Sequence, residues 1–450
     1  MIKKSTMIVL LCALIGAGGA YYWQYRHSKQ PAAPKDTSKP AFSVTPSSIV
    51  SFTISHPADS KQSPIVFDKQ KGAWHIVQPV DTLADQPTAQ GFIDQLAESR
   101  ATGTEPVTPD NRKDYGLNPP RASVEFQLRD GQKHTLLLGN KDFSGTDVYS
   151  IVDDQPRISL LPLLLLTTAD KPLNQFRDMN VLSIESENVK SFTLKNSSGE
   201  LALNRDSKDS NEWDFTRPEK VSADPDVVDA VLNAVSDARI SAILSEKPAD
   251  LARYGLAHPA ITFTATKTDG GEDTLALGKK NGDDYYARDL SRSMIFTVKP
   301  DLVAKLSDTF TQMRDKSVVH VDESSLDRIQ LQNANGTIDV SRQGKNGTWK
   351  IDAPAADKGK SASSWKILDP FTSLHADEVI DHPSAALLAK MKNPAVTAIF
   401  TENDGKQITA RLSKPDGDIA YAQSSASPEL FKIKKQTVDD LNLKPKDVAF

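Results

Sequence analysis

The sequence predicts an α+β protein in which an N-terminal transmembrane helix is followed by three tandem repeats of a β-rich α+β domain with antiparallel sheets. Three observations predict this class. An apolar segment opens the 450-residue chain, several short landmarks recur at a nearly constant offset, and segments of alternating polarity end in tight-turn residues. The length is enough for roughly three domains of ordinary size.

The composition is that of a folded protein and excludes several classes of function. Hydrophobic residues make up 38% and charged residues 25% of the chain, so long disordered regions are not expected. The net charge is -5 with both signs interspersed, which argues against a nucleic-acid partner, because such proteins carry a basic face. Cys12 is the single cysteine, so disulfides, cysteine-based metal sites and a cysteine nucleophile are excluded for the rest of the chain.

The first residues have the pattern of a membrane signal. Lys3 and Lys4 precede an apolar run from Met7 to Ala20, and a cluster of tyrosine and tryptophan residues follows. Such a cluster suits the headgroup region of a bilayer, because each ring has an apolar body and a polar edge. The alternatives are an uncleaved signal anchor and a signal peptide cut after the small residues that end the run. We prefer the anchor, because an aromatic belt has no purpose in a removed peptide.

This interpretation assigns residues 1–27 to a membrane anchor or signal segment, with residues 7–23 in the bacterial inner membrane. A long C-terminal part after a first apolar segment is usually translocated, so the folded domains are expected to face the periplasm or the cell exterior. Gly16 and Ala20 form a small-xxx-small pair through which two anchors can self-associate. Residues 28–47, rich in Pro, Ser and Lys, are expected to form an extended stalk.

Internal repetition is the strongest pattern in the remaining chain. Trp74, Trp213 and Trp349 each lie in a short apolar segment, and a proline follows each of them five residues later. The copies are therefore offset by 139 residues (213 minus 74) and 136 residues (349 minus 213). A period of this length indicates tandem domains and not a solenoid. We predict repeat domain 1 at residues 48–182, repeat domain 2 at residues 183–321 and a divergent repeat domain 3 at residues 322–450.

Two further landmarks keep the same offset. A Tyr-Gly-Leu segment precedes a strand pattern in the first two copies, and an Arg-Asp pair closes both of them. The third copy has Met391-Lys392-Asn393-Pro394 in place of the first landmark and lacks the second. We interpret these landmarks and the tryptophans as structural, because the tryptophans have apolar flanks and an Arg-Asp pair can tie a helix end by an ion pair. The residues are Tyr115, Gly116, Tyr254, Gly255, Arg177, Asp178, Arg314 and Asp315.

The hairpin of each copy follows from local patterns. Ser123–Leu128, Ile261–Thr266 and Val396–Phe400 alternate between apolar and polar residues, as half-buried strands do. The Asp-Gly or Asn-Asp-Gly tips that follow supply the positive φ of a tight hairpin.

Three segments are predicted to be helical. Val227–Ala238 has the pattern of the longer helix of its copy. Ala249–Tyr254 is expected to form a short helix that Gly255 ends in the left-handed conformation. Leu160–Leu166 is too short to cross a membrane, so we predict a buried helix that closes the first copy.

A cluster of acidic and histidine side chains is the sharpest candidate for chemistry. On a helix, His375, Glu378 and His382 would share a face and could hold a metal ion, with Asp377 and Asp381 beside them. The repeat offset instead aligns this segment with a helix end that runs into a strand or loop, where the other copies have no histidine. We therefore predict a surface turn.

Other motif matches are weaker. Ser363-Ser364-Trp365-Lys366 matches the S-x-x-K motif of penicillin-recognising enzymes, but the chain lacks the Lys-Thr-Gly partner. Gly359-Lys360-Ser361 resembles the end of a phosphate loop, with Pro354 where its first glycine should be. Asp416-Gly417-Asp418 and Asp283-Asp284 lack the spacing of a calcium loop. We assign no catalytic, cofactor-binding or metal-binding residue, and we expect no enzyme activity and no cofactor.

Together the landmarks resemble a bacterial family of domains of unknown function, DUF4340. The resemblance covers roughly residues 48–450, with the third copy weakest, and its motifs are structural. Members of this family are similar to, and often accompany, components of gliding-motility-type ABC transport systems. The resemblance implies an accessory or scaffold role beside ABC permease and ATPase subunits, and it transfers no catalytic residue. The best match is in the second copy, at Trp213, Tyr254-Gly255-Leu256, Pro259, Leu277-Gly278, Tyr285-Tyr286 and Arg314-Asp315-Lys316.

Two classes of function stay open, together with a weaker third. We expect a membrane-anchored extracytoplasmic accessory or scaffold protein that partners an ABC-type transport system through protein contacts. The alternative is an envelope module that binds glycan or peptidoglycan, because tryptophan can stack on sugars. Exposed indoles would favour that alternative, and buried ones would remove its basis. A hydrolase would rest only on the match at Ser363–Lys366.

Overall fold

The computed structural model describes residues 22–23, 38–205, 211–342, 344 and 347–450. The predicted apolar segment before Tyr22, Cys12, the pair Gly16 and Ala20, and the first part of the stalk lie outside these residues. Among the described residues, no helix has both the length and the apolarity needed to cross a membrane.

Antiparallel sheets dominate the described residues, and this part of the prediction is confirmed. The first sheet contains β1 Lys39–Pro40, β2 Ile49–Ser55, β3 Ile65–Gln70, β4 Ala73–Gln78, β5 Thr82–Leu83, β6 Arg100–Pro106, β7 Ala122–Leu128, β8 Lys133–Lys141, β9 Asp147–Val152 and β10 Arg157–Pro162. The second contains β11 Val189–Asn196, β12 Gly199–Arg205, β13 Trp213–Arg217, β14 Ala242–Ser245, β15 Ile261–Lys267, β16 Glu272–Asn281, β17 Asp284–Asp289 and β18 Ile295–Val298. The third contains β19 Leu326–Asn333, β20 Gly336–Arg342, β21 Trp349–Ala353, β22 Glu378–Ile380, β23 Val396–Glu402, β24 Gln407–Leu412, β25 Ile419–Ser424 and β26 Leu430–Lys434.

Short helices connect and cover the strands. In chain order the described α-helices are α1 Gln86–Glu98, α2 Pro109–Asp114, α3 Leu164–Ala169, α4 Pro225–Ser236, α5 Pro300–Lys305, α6 Phe310–Met313, α7 Trp365–Thr372, α8 Ala385–Lys390, α9 Lys435–Asp440 and α10 Pro445–Val448. Helices α1 and α4 each begin after an aspartate, Asp85 or Asp224, whose carboxylate accepts backbone N–H groups of the first turn. Such a cap satisfies donors that the helix itself cannot pair.

The three sheets have the same strand order. The second runs β13-β12-β11-β15-β16-β17-β18-β14 and the third β21-β20-β19-β23-β24-β25-β26-β22. The first repeats this order as β4-β3-β2-β7-β8-β9-β10-β6, with β5 and β1 added at its two edges. Because the strand registers also agree, positions in one sheet can be assigned to positions in the others.

The chain divides into two compact units, residues 1–179 and residues 180–450. The first unit contains the first sheet, and the second unit contains the other two sheets. Each of the three predicted domain ranges contains one sheet, apart from β1, which precedes residue 48. The division into three separate domains stays a prediction.

One face of each sheet is covered by the long helix of its copy. The buried residues of α1 are Ala89, Phe92, Ile93 and Leu96, and those of α4 are Val228, Val231, Leu232 and Val235. Their spacing of three and four residues places them on one side of the helix, toward the sheet. The same face of α7 buries Ile367, Leu368 and Phe371.

Several predicted boundaries are corrected. Leu160 to Pro162 belong to β10, and the helix starts only at Leu164, because the apolar run is shared between a strand and a helix. The predicted helix before Gly255 is reduced to a 3-10 turn at Ala252–Tyr254, although Gly255 ends it with the expected positive φ of 74°. The stalk boundary at residue 47 is too late, since Lys39 already pairs with Ala101 and Phe42 is buried.

One partly buried position distinguishes the first sheet. Asn196 is the last residue of β11, and its side-chain amide donates to the carbonyls of Leu306 and Asp308 at 3.1 and 3.0 Å. Asn333 makes the same two bonds, at 2.9 Å each, to Leu441 and Leu443. These bonds hold the end of helix α5 or α9 against the sheet.

His56 occupies this position in the first sheet. Ile54 pairs with β7 at the same place in the sheet at which Leu194 pairs with β15 and Leu331 pairs with β23. His56 stands two residues after Ile54, just as the two asparagines stand two residues after these leucines. Its side chain is 4% exposed, and neither ring nitrogen has a hydrogen-bond partner among the described residues. The nearest acid, Asp170, lies 3.5 Å from Nε2. The first copy therefore lacks the two bonds that the asparagines make.

We predict that His56→Asn stabilises the first sheet, because an asparagine can donate to the carbonyls of Asp170 and Pro172, which correspond to those of Leu306 and Asp308. The expected gain in the free energy of unfolding is that of two hydrogen bonds, at about 1 kcal/mol each. Hydrogen exchange of the β2 amides measures it. Asn196→His is the matched control and should speed exchange in β11. Faster exchange of β2 in His56→Asn would contradict the assignment.

Candidate functional site

The three repeated tryptophans are buried at equivalent places. Trp74 and Trp213 are 1% exposed and Trp349 is 7% exposed. A cation from the neighbouring strand lies over each indole: Lys69 at 5.2 Å, Arg205 at 4.9 Å and Arg342 at 5.0 Å from the ring centroid. With one face under a cation and the rest in the core, these indoles have no free face for a sugar. The observation behind the glycan-binding alternative is thereby removed.

The two arginines also tie the start of their sheets. The guanidinium of Arg205 donates to the carbonyls of Glu187 and Ser186, which lie in the 3-10 turn before β11. Arg342 does the same to the carbonyls of Ser324 and Glu323 before β19. Each cation thus joins a tryptophan to a turn, which is a structural role.

The Tyr-Gly-Leu landmark packs against a Leu-Gly pair that the first two copies share, Leu138-Gly139 in β8 and Leu277-Gly278 in β16. A Cβ added to Gly139 would lie 2.2 Å from the carbonyl oxygen of Tyr115, and a Cβ on Gly278 would lie 2.2 Å from that of Tyr254. Only glycine permits this approach. Gly116 and Gly255 have φ of 65° and 74°, so they supply the left-handed turn that places the tyrosine carbonyl there. These residues dock a loop on the outer face of the sheet.

The two tyrosines differ in their surroundings. Tyr115 stacks on Tyr149 with ring centroids 4.0 Å apart, beside an open cleft of about 270 Å³. A hydrogen bond to Glu105 raises the pKa of Tyr115, so its hydroxyl stays protonated and is unsuited to act as a base. Tyr254 instead meets Tyr286 edge to face at 5.0 Å.

The Arg-Asp landmark closes each of the first two copies by an antiparallel bridge. Ala84 pairs with Arg177, and Ala223 pairs with Arg314. The third copy makes the same bridge between Ala362 and Ala449, without the charged pair. Arg177 and Asp178 are buried, at 3% and 6% exposure.

Arg314 connects the second and third sheets within the second unit. Its guanidinium donates to both carboxylate oxygens of Asp381, at 2.8 and 2.5 Å, and lies 3.6 Å from Glu429. This bonding raises the pKa of Arg314 and lowers that of Asp381, so both stay charged. The side chain of Arg314 is 8% exposed, which makes the pair a partly buried one.

Asp315 binds the next histidine. Its carboxylate lies 2.6 Å from Nε2 of His320 and accepts the backbone N–H of Ser317 at 2.8 Å. Burial raises the pKa of Asp315, but the bonds from His320 and Ser317 outweigh it and leave that pKa below the usual value. The same bond raises the pKa of His320.

An open cleft lies beside Arg314, between the second and third sheets. Its volume is about 390 Å³, within the range of small-ligand sites. Apolar side chains such as Val379, Ile408 and Phe431 form part of its wall. The charged lining residues carry both signs: Lys220, Arg314, His320 and Lys406 against Asp315 and Glu429.

Two residues that line the cleft carry polar atoms that the described residues leave unpaired. The hydroxyl of Ser427 and one carboxylate oxygen of Glu429, Oε2, are buried and have no hydrogen-bond partner among the described residues. Buried acceptors of this kind are costly unless something binds them. We take this cleft as the candidate functional site.

The acidic and histidine cluster is dispersed. Glu378 lies in strand β22 and not on a helix, where it is 3.5 Å from Lys432, and Asp381 is bound to Arg314. Nδ1 of His375 lies 3.3 Å from the carbonyl oxygen of Ser373. No group of three potential ligands that could hold a metal occurs among the described residues. The predicted turn running into a strand is observed.

Three other motif residues have structural partners. The ammonium of Lys366 donates to the carbonyl of Asp447 at 2.6 Å, so it is not directed at Ser363. Lys360 binds Asp357 at 2.7 Å, and Asp416 binds Lys390 at 2.7 Å.

Sequence reasoning did not find Ser427 and Glu429, since neither belongs to a motif. A signal for them exists in the comparison of the copies, because the second copy has Arg292 and Met294 at the corresponding places.

We predict that Gly278→Ala destabilises the second unit by about 2 kcal/mol, since the methyl group must displace the Tyr254 carbonyl. Urea unfolding measures the change. Gly271→Ala, in the turn before the same strand, is the control, because its Cβ meets the ends of the flexible Lys267 and Asp269 side chains, at 3.0 and 3.2 Å, and no backbone atom at such a distance. Equal effects of the two variants would contradict the docking role.

We also predict that His320 titrates above its ordinary pKa of 6.5 and returns to it in Asp315→Asn. Its bond to Asp315 stabilises the fold fully below pH 6.5, and this contribution is lost as the pH rises through the raised pKa. The lowered pKa of Asp315 keeps its contribution above pH 3.8 and loses it in stronger acid. Histidine NMR titration measures the shift, and an unchanged pKa in Asp315→Asn would contradict the pairing.

Comparison with known proteins gives one clear result. A family model described as Domain of unknown function (DUF4340) matches residues 74–212 and, a second time, residues 213–394. No curated protein and no solved structure matches the chain. The two family matches together cover more than half of the chain, which therefore belongs to the family Domain of unknown function (DUF4340).

Proposed function

We propose that this chain is a membrane-anchored extracytoplasmic accessory or scaffold protein that partners an ABC-type transport system through protein contacts, without catalysis. The basic and apolar pattern of residues 1–27 supports the anchor. The resemblance of the repeat landmarks to proteins that accompany such transport systems supports the partner.

One structural observation carries the scaffold role. The landmarks that the copies share, such as Trp213 and the glycines of the docked loops, have structural roles: they pack in the core or allow a loop to approach the sheet closely. The large exposed apolar side chains, in contrast, differ from copy to copy. Phe143 is 99% exposed in the first, Leu290 is 53% exposed in the second and Trp365 is 55% exposed in the third. Aromatic side chains such as those of Phe143 and Trp365 are enriched in protein interfaces.

The arrangement therefore combines one repeated framework with several distinct surfaces. A protein that organises partners needs rigid elements and separate contact points, and it needs no reacting group. The N-terminal pattern is the reason why the proposal places the protein at the inner membrane, with its folded part on the extracytoplasmic side.

The test is affinity purification of the full-length chain from native membranes in mild detergent, followed by mass spectrometry. We expect ABC permease and ATPase subunits to be recovered with the wild-type chain. The triple variant Phe143→Ser, Leu290→Ser, Trp365→Ser should recover at least about fivefold less, because it loses apolar contact area.

Asp283→Ser, which also changes an exposed residue, is the matched control and should recover the same subunits as wild type. Recovery of the chain alone, under conditions that preserve other membrane complexes, contradicts the transporter partner. Detection of the folded part in the cytosol contradicts the extracytoplasmic placement.

A further inference from the structure

The loop between the last two hairpin strands of each copy differs at the candidate site. Leu290 in the second sheet and Ser425 in the third have the same bond, from their N–H to the carbonyl of Thr274 or Thr409. The loops are equal in length, since Ile295 and Leu430 both begin the next strand. Arg292 therefore corresponds to Ser427, and Asp289 corresponds to Ser424.

The segment that leads into each sheet corresponds in the same way. Asn180 bridges to Arg239, and Ser317 bridges to His375. Two residues after each bridge partner, Ser241 and Asp377 donate their N–H groups to the facing strand at Thr297 and Lys432. Asn180 and Val181 therefore correspond to Ser317 and Val318.

In the second sheet a guanidinium joins these two regions. Nη2 of Arg292 donates to the carbonyls of Asn180 and Val181, at 2.7 and 2.5 Å. Its Nε donates to Asp289 at 2.8 Å. The side chain is 17% exposed, so the cation fills a mostly buried place and satisfies three acceptors.

In the third sheet the same place is part of the cleft. Ser317, Val318, Ser424 and Ser427, which correspond to the four residues of the arginine site, all line it. No arginine reaches in from the loop, because Ser427 stands where Arg292 would be. The carboxylate is supplied by Glu429 instead of Asp289, and its Oε2 has no partner among the described residues.

We propose that the cleft binds the guanidinium group of an arginine side chain from a partner polypeptide. The planar group with its several donors fits a site whose counterpart in the second sheet holds a guanidinium on two carbonyls and a carboxylate. Glu429 has its Oε1 3.6 Å from Arg314, so its unpaired Oε2 is the carboxylate oxygen that receives the incoming guanidinium, and the Ser427 hydroxyl accepts a further bond.

Size and lining favour a polypeptide over a free small cation. A volume of about 390 Å³ exceeds what one guanidinium needs, and the apolar wall at Val379, Ile408 and Phe431 suits the alkyl stem and neighbouring residues of a chain. Lys220 and Lys406 also line the cleft, so acidic residues beside the arginine match it. The occupant rests on the proposed function, because it comes from a partner protein.

The test is binding of a labelled pentapeptide, Ala-Asp-Arg-Asp-Ala with blocked ends, to the full-length chain in detergent. The citrulline peptide, which keeps the shape but loses the charge, should bind at least about tenfold more weakly. Glu429→Gln should weaken the arginine peptide by a similar factor without lowering the unfolding temperature, because Arg314 keeps Asp381 as its partner.

Ser427→Arg is the sharper variant, alone and combined with Ser424→Asp. It gives the third sheet the internal arginine that the second sheet has. It should therefore both block peptide binding and raise the unfolding temperature. Loss of binding by simple damage would lower that temperature. Asp283→Ser is the matched control and should bind as wild type.

Equal binding of the arginine and citrulline peptides, or full binding by Ser427→Arg, overturns the guanidinium site. Free arginine that binds as tightly as the peptide overturns the polypeptide occupant. Co-purified transporter subunits that are insensitive to Glu429→Gln overturn this inference alone. Peptide binding without those subunits overturns the proposed function alone.

Discussion

The closure of each copy depends on one short antiparallel bridge between the chain just before the long helix and the segment that ends the copy. The N–H of Asp85, Asp224 or Ser363 donates to the carbonyl of Phe176, Met313 or Val448, at 2.8 to 2.9 Å. This bridge fixes where the helix begins and where the chain leaves the sheet. In the second copy it therefore places Arg314 and Asp315 between two sheets, where they bind Asp381 and His320. The candidate cleft exists because of that placement.

Much of the fold could be predicted from the sequence, because its signals are local. Alternation and Asp-Gly tips identify the hairpins, and Gly131, Gly270 and Gly405 do have the positive φ expected there. The offset between tryptophans located the copies. The apolar run Leu160–Leu166 was misassigned, because hydrophobicity alone does not distinguish a buried strand from a buried helix.

The candidate site could not be predicted in the same way. Its carboxylate, Glu429, can be recognised as a site residue only by comparison with the second copy, where Arg292 occupies the place that Ser427 has in the third. That comparison requires the register of both sheets. For the cluster at His375, in contrast, the repeat offset does predict the turn running into a strand that is observed. The spacing of the cluster suits a helix, but Glu378 lies in a strand, where alternate side chains point to opposite faces.

The common strand order has a consequence for folding. Three neighbouring segments of one chain encode the same sheet, so a strand of one copy can pair into the place of its counterpart in another while the chain is still open. Divergence between copies opposes such exchange. The first sheet has an extra strand at each edge, β1 and β5, and the third copy has Ser413 where the other copies have Gly139 and Gly278. These differences make the strands less interchangeable. The differences among the copies thus protect the chain against misassembly as well as giving each sheet its own surface.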